Sequence, residues 1–177
     1  MTYISTYLSP LGPITLASTG DALTGLWIDG QKYDRAKLDK DLVDGEVLVL
    51  NEAKRWLDLY FQGNDPGFMP KLQMKGSDFQ MAVWEILRKI PYGQVITYGE
   101  IAKQIAKDRG LARMSAQAVG GAVGHNPISI IVPCHRVVGS NNSLTGYAGG
   151  IDKKISLLKL EKVDVSQFFV PVKGTAL

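Results

Sequence analysis

The chain has 177 residues, 45% of them hydrophobic and 21% charged, with 20 Lys and Arg against 17 Asp and Glu for a formal net charge of +3. A chain of this length folds as one or two domains and can bury roughly 70% of its unfolded surface. The composition is near the globular average and no uncharged apolar run approaches the roughly 18 residues of a spanning helix, which excludes disordered and membrane-spanning classes. The single cysteine, Cys134, accompanied only by His125 and His135, excludes an intramolecular disulfide and a Cys-rich structural zinc site. The opening residues MTYISTYLSP lack a basic segment followed by an apolar one, so the expected location is cytoplasmic.

A turn-rich stretch, NDPGFMPKLQMKG, divides the chain near Gly76, giving expected domains over residues 1–75 and 76–177. The first part carries 8 Lys and Arg against 10 Asp and Glu, a net charge of −2; the second carries 12 against 7, a net charge of +5. A basic second half suits a polyanionic partner, although a solvated basic face is the commoner cause of such an imbalance. Strands are predicted near Tyr3–Leu8, Ile14–Ala17 and Leu23–Ile28, separated by Pro and Gly turns. Helices are predicted over Asp34–Lys40 and Asn51–Gln62, the latter with Trp56, Leu59 and Tyr60 on one stripe that core packing explains. No catalytic constellation appears in this half, which reads as scaffold.

The second half is mainly helical: Asp78–Lys89, Tyr98–Lys107, Ser115–Gly124 and Asp152–Glu161. Thr97 and Glu100 have the spacing of a capping box, and Pro91-Tyr92-Gly93 is a turn that stops the preceding helix. Residues 164–177 have little pattern and suit an arm or a frayed end. Tyr98–Lys107 and Ser115–Gly124, joined by residues 108–114, have the outline of a helix-turn-helix. The second of these helices is almost wholly small, and its three glycines each cost roughly 0.8–1 kcal/mol relative to alanine. Close approach to another surface, either a neighbouring helix or a nucleic-acid groove, offsets that cost, and the nearby Lys103, Lys107, Arg109 and Arg113 suit the groove.

Residues 126–138, NPISIIVPCHRVV, carry the most chemistry. Pro127 pushes Asn126 out of helical conformation, the run Ile128–Val132 reads as buried, and Pro133 delivers Cys134 and His135. A lone cysteine is commonly an inert buried residue. Here His135 can accept the thiol proton, and Arg136 adds positive potential that favours thiolate. Activation is required, because a thiol with a pKa near 8.5 is only a few per cent thiolate at neutral pH.

The segments IPYGQVITYGEIA, AVGGAVGHNP, VPCHRVVG and TGYAGG, in this order, resemble the O6-alkylguanine-DNA alkyltransferases, closely over about residues 76–162. The first half is similar to that family's amino-terminal domain, with SPLGPI near its start. The resemblance implies an α+β protein: a small ribonuclease-H-like α/β domain, then a mainly helical, winged-helix-like domain with a helix-turn-helix. It implies that Cys134 accepts the alkyl group, that His135 acts as base through water, and that Glu161 completes the relay. Asn126 matches the family's hinge asparagine and Tyr98 the tyrosine that donates toward the base. By the same resemblance Tyr147, Ala148 and Gly149, with Val137, are expected to line the guanine pocket. DNA contacts are expected from Arg113, Ser115, Ala116, Gln117, Gly120, Gly121 and Arg136. The implied partner is double-stranded DNA containing O6-alkylguanine, with O4-alkylthymine as a further substrate, bound through its minor groove; a monomer is expected, with no cofactor, metal or membrane.

The implied chemistry fits the residue types. A soft thiolate suits displacement at an sp3 carbon, the thioether product gives water no carbonyl to attack, and the buried target atom requires the nucleotide to be flipped out. Gln117 stands where the family commonly has an arginine that fills the flipped base's gap, and Arg113 is the expected substitute. Ala148 stands where some relatives have serine. The alternative from another class is a non-enzymatic damage-recognition protein, against which the presence of Cys134 counts. A cysteine hydrolase on an unrelated fold has no other support in the sequence.

Overall fold

A computed structural model describes residues 1–31 and 41–171. The helix predicted over Asp34–Lys40 and the last six residues of the expected arm lie outside the described residues. The chain forms two compact units, one of residues 1–75 with 127–131 and one of residues 76–126 with 132–177. Residues 127–131, assigned from sequence to the second half, therefore belong to the first unit.

In the first unit, β1 (Thr2–Ser9), β2 (Gly12–Ser18) and β3 (Leu23–Ile28) form the predicted antiparallel meander. A short strand that sequence did not indicate, β4 (Leu42–Asp44), adds parallel to β1, giving the sheet order β3-β2-β1-β4. Ile14 and Leu16 of β2 and Leu23, Leu26 and Ile28 of β3 are fully buried. Helix α1 (Leu48–Phe61) turns Val49, Leu50, Ala53, Trp56, Leu57 and Tyr60 inward, with the Trp56 and Tyr60 rings stacked at 5.1 Å. Residues 127–131 run along β3: the Leu26 N–H donates to the Pro127 carbonyl at 2.9 Å and the Ser129 N–H to the Leu26 carbonyl at 3.0 Å. The buried Gln31 Oε1 accepts from the Ser129 hydroxyl and from the Ile28 N–H, so this excursion leaves no side-chain amide oxygen stranded in the core.

The second unit begins with α2 (Asp78–Arg88), started by a capping box in which Ser77 and Gln80 satisfy each other's backbone N–H groups. Val83, Trp84 and Leu87 are its buried stripe. A turn at residues 91–94 leads to a two-residue strand β5 (Ile96–Thr97) and then to α3 (Tyr98–Asp108), whose capping box is formed by Thr97 and Glu100 as the sequence predicts. Helix α4 (Ala116–Gly124) starts at Ser115, whose hydroxyl accepts from the Ala118 N–H. It buries Val119, Ala122 and Val123, and the Trp84 indole donates to the Ala122 carbonyl at 2.8 Å, tying α4 to α2. Strand β6 (Val137–Val138) pairs in parallel with β5, and α5 (Ile151–Leu160) follows. Val138, Leu144 and Leu158 make a small core that Val165 and Phe168 help cover, so the described part of the carboxy-terminal arm packs. No described helix is long and apolar enough to cross a membrane.

Candidate functional site

Local geometry delivers Cys134. Asn126 follows the end of α4, and its amide donates to the Val132 carbonyl at 2.8 Å, closing the neck of the 127–131 excursion. Inside that excursion Ile130 holds a φ of 71°, and the Ile131 N–H returns to the Ser129 carbonyl at 2.8 Å. A β-branched residue in the left-handed region is strained, so the surrounding structure enforces this bend. Pro133 (φ −83°, ψ 66°) then centres an inverse γ-turn in which the Cys134 N–H donates to the Val132 carbonyl at 2.8 Å. Cys134, His135 and Arg136 form one 3₁₀ turn that feeds β6. Because β6 pairs with β5, and β5 runs directly into α3, the same pairing sets Tyr98 beside the cysteine turn.

The ionisable groups form one buried network. His135 is fully buried and shares a short hydrogen bond between its Nε2 and Glu161 Oε2. The other oxygen, Oε1, accepts from Arg136 Nε at 2.7 Å and from the Gly93 N–H at 2.9 Å. Burial pushes the Glu161 carboxyl up, but His135 and Arg136 together outweigh it and bring its pKa down to about 2. Burial lowers the His135 pKa against the pull of Glu161. Burial likewise raises the Cys134 thiol, opposed by hydrogen bonding from Asn126 and by the charge of Lys154. Thiol and imidazole are therefore both favoured in their neutral forms.

Lys154 is the residue that sequence reasoning missed. It has no exposed surface, and its ammonium donates to the Val137 carbonyl and, at 2.8 Å, to the Thr145 carbonyl. Burial brings its pKa down to about 8, with the nearby Cys134 resisting. A signal was present: Lys154 sits three residues after Ile151 and three and four before Leu157 and Leu158, on the apolar stripe of α5. Arg136 sits differently from its sequence expectations: its side chain is 9% exposed and reaches Glu161 and the Ile90 carbonyl, and the cation acting on the thiol is Lys154.

The loop 145–150 closes the cluster. The Tyr98 hydroxyl donates to the Thr145 carbonyl at 3.0 Å, and burial, then proximity to Cys134, keeps the phenol protonated well above its usual range. Gly146 has a φ of 73°, and a Cβ there would stand 2.8 Å from the Tyr98 hydroxyl, so only glycine fits. The Tyr147 ring lies 6.5 Å from the His135 ring. Ala148 and Gly149 are half-buried and Val137 is fully buried. The structure thus brings Cys134, His135, Glu161, Tyr98, Asn126, Val137 and Tyr147 into one neighbourhood. Among the described residues no group of three or more His, Cys, Asp or Glu is placed to hold a metal.

The outer side of α4 is a separate surface. Arg113, Ser115, Ala116, Gln117 and Gly121 are exposed, while Gly120 is half-buried. A Cβ added at Gly121 would meet nothing within 4 Å, and one at Gly120 would only reach ordinary contact with the Tyr98 ring at 3.9 Å. Internal packing therefore does not require these glycines.

Two family profiles match nearly the whole chain: the ribonuclease-like domain of 6-O-methylguanine DNA methyltransferase over residues 2–73, and the DNA-binding domain of the same protein over residues 78–163. The chain belongs to this family. The methylated-DNA–protein-cysteine methyltransferase of Mycobacterium tuberculosis is 46% identical over 166 residues, spanning 92% of this chain and 93% of the relative. That of Methanosarcina acetivorans is 44% identical over 160 residues, spanning 90% and 97%. Among solved structures, Mycobacterium tuberculosis OGT in complex with DNA matches with a TM-score of 0.79 at 42% identity, covering 93% of this chain and 98% of that one. Within this methyltransferase family the mixed α+β architecture, a ribonuclease-like sheet unit followed by a helical DNA-binding unit, is the one the sequence implies.

Proposed function

We propose that the chain repairs DNA by moving the alkyl group of O6-alkylguanine in a duplex to its own Cys134, once and irreversibly. The observation that carries this reading is the buried Cys134–His135–Glu161 arrangement, in which Glu161 fixes the imidazole through Nε2 and leaves Nδ1 to take the thiol proton through a water. The thiolate sulfur attacks the carbon bonded to O6. An S–C bond forms, the C–O bond breaks, and its electron pair stays on the guanine, where the protonated Tyr98 turns its hydroxyl from the Thr145 carbonyl to donate a hydrogen bond to the developing charge. The thioether has no electrophilic carbonyl, so the protein is spent after one event and needs no cofactor.

Burial of the site means that the base must leave the duplex, at a cost of a few kcal/mol. We assign the exposed face of α4, from Ser115 through Ala116 and Gln117 to Gly120 and Gly121, to the minor groove, with Arg113 adding charge at its start. Tyr147, Ala148, Gly149 and Val137 would line the pocket for the flipped base, and Asn126 would keep the cysteine turn joined to α4. All of these groups belong to one chain, which suits action as a monomer, and the same pocket chemistry extends to O4-alkylthymine. The test is stoichiometry on the DNA. With excess duplex containing O6-methylguanine, guanine is restored in an amount equal to the protein and the reaction stops; continued turnover would contradict the proposal.

A further inference from the structure

We propose that Arg136 is a positioning residue for alkyl transfer, holding the Glu161 carboxylate in the orientation that fixes His135. This inference rests on the reading of Cys134, His135 and Glu161 given above. Arg136 is buried, yet each end of its fork is used: Nε donates to Glu161 Oε1 at 2.7 Å and a terminal nitrogen donates to the Ile90 carbonyl at 2.7 Å. The guanidinium also lies 5.7 Å from the centre of the Tyr92 ring. It therefore joins three segments, the turn after α2, the cysteine turn and the end of α5. Oε1 is held by Arg136 and by the Gly93 N–H, so the carboxylate cannot rotate without losing both, and Oε2 stays on His135. Arg136 and His135 are adjacent in one 3₁₀ turn, so a single carboxylate orients two neighbouring side chains.

The geometry also distributes charge. The groups facing this cluster are Glu161, Arg136 and His135, with Lys154, Cys134 and Tyr147 beyond them and Tyr92 against the guanidinium. With Arg136 present, part of the Glu161 charge is answered by a permanent cation, and His135 can stay neutral and able to accept a proton. Without it, the carboxylate's charge falls on His135 alone, which then holds its own proton to higher pH. A lysine would keep the cation but could not span the two acceptors as the planar fork does.

The experiment uses the full chain as wild type, Arg136→Met and Arg136→Lys. It measures duplex affinity, the saturated single-turnover transfer rate from O6-methylguanine duplex across pH, and thermal unfolding to confirm folding. For Arg136→Met the expected result is affinity within about twofold of wild type, a saturated rate lower by about tenfold or more, and an acid limb displaced to higher pH. Arg136→Lys should return the acid limb to its wild-type position while remaining about threefold slow. Weakened affinity with an unchanged saturated rate would make Arg136 a DNA contact and overturn the proposal. So would a slow Arg136→Met with an unmoved acid limb, which is the signature of a purely structural role. If Arg136→Met does not fold, a wild-type saturated rate in Arg136→Lys overturns it instead. A wild type that transfers nothing would sink the underlying reading, a result distinct from wild-type transfer with indifferent variants.

Discussion

Replacing Glu161 by Gln removes one charge at nearly constant shape, and the structure sets the size of the effect. The side chain has no exposed surface and its pKa falls from 4.5 to about 2 through His135 and Arg136. That depression corresponds to about 3 kcal/mol of stability at pH 7. The figure agrees with the 3–5 kcal/mol typical of breaking a buried ion pair by removing one partner, here leaving Arg136 uncompensated. The sign follows from a depressed folded-state pKa. The contribution is complete above the unfolded value of 4.5 and is lost as pH falls toward 2, with less than half of it left at pH 3. Thermal unfolding of wild type and Glu161→Gln at both pH values is the assay. At neutral pH the variant should melt roughly 6–12 °C lower, from about 2–4 °C per kcal/mol for a chain of this size, and the gap should shrink by more than half at pH 3. A difference below about 1 kcal/mol at pH 7, or one independent of pH, would refute this account of the buried carboxylate.

Three further outcomes are expected. Lys154→Met removes the cation near the thiol, so iodoacetamide should alkylate Cys134 with a higher apparent pKa; an unchanged profile would show that Lys154 acts only by bonding Val137 and Thr145. Gly146→Ala places a methyl 2.8 Å from the Tyr98 hydroxyl at a positive φ, which should cost about 1–3 kcal/mol in unfolding and slow transfer; wild-type stability would mean that the loop relaxes freely. Gln117→Arg adds a cation on the exposed face of α4, so duplex binding should tighten and its salt slope steepen by about one, whereas an unchanged slope would place Gln117 away from the phosphates.

What the sequence made legible follows from where the determining forces are local. The three meander strands and the helices α1 to α5 emerged within a few residues of their bounds because periodicity, capping at Thr97 and the turn at Pro91–Gly93 are short-range signals. Strand β4, only Leu42–Asp44, has no alternation of its own and exists through pairing with the distant β1, so nothing local marks it. The run Ile128–Val132 read correctly as buried, but burial alone does not say in which core; backbone bonds to Leu26 place residues 127–131 with the first unit. The same limit governed the site. Cys134 and His135 stand together in the sequence, whereas Arg136 looked like an electrostatic partner of the thiol because it is adjacent. Its direction is set by a carboxylate 25 residues away. Lys154 was overlooked for the opposite reason: a lysine among other lysines of α5 resembles a solvated face, although its place on the apolar stripe already marked it for burial.

The most direct test of the central claim weighs the protein itself. Wild type and Cys134→Ser are each mixed with equimolar duplex containing O6-methylguanine and examined by intact-protein mass spectrometry. The account predicts that wild type gains the mass of one methylene, mapped to Cys134 and saturating at one per chain, while Cys134→Ser binds the duplex and gains nothing. Duplex binding by wild type with no gain in mass, or a gain on any other residue, would contradict it.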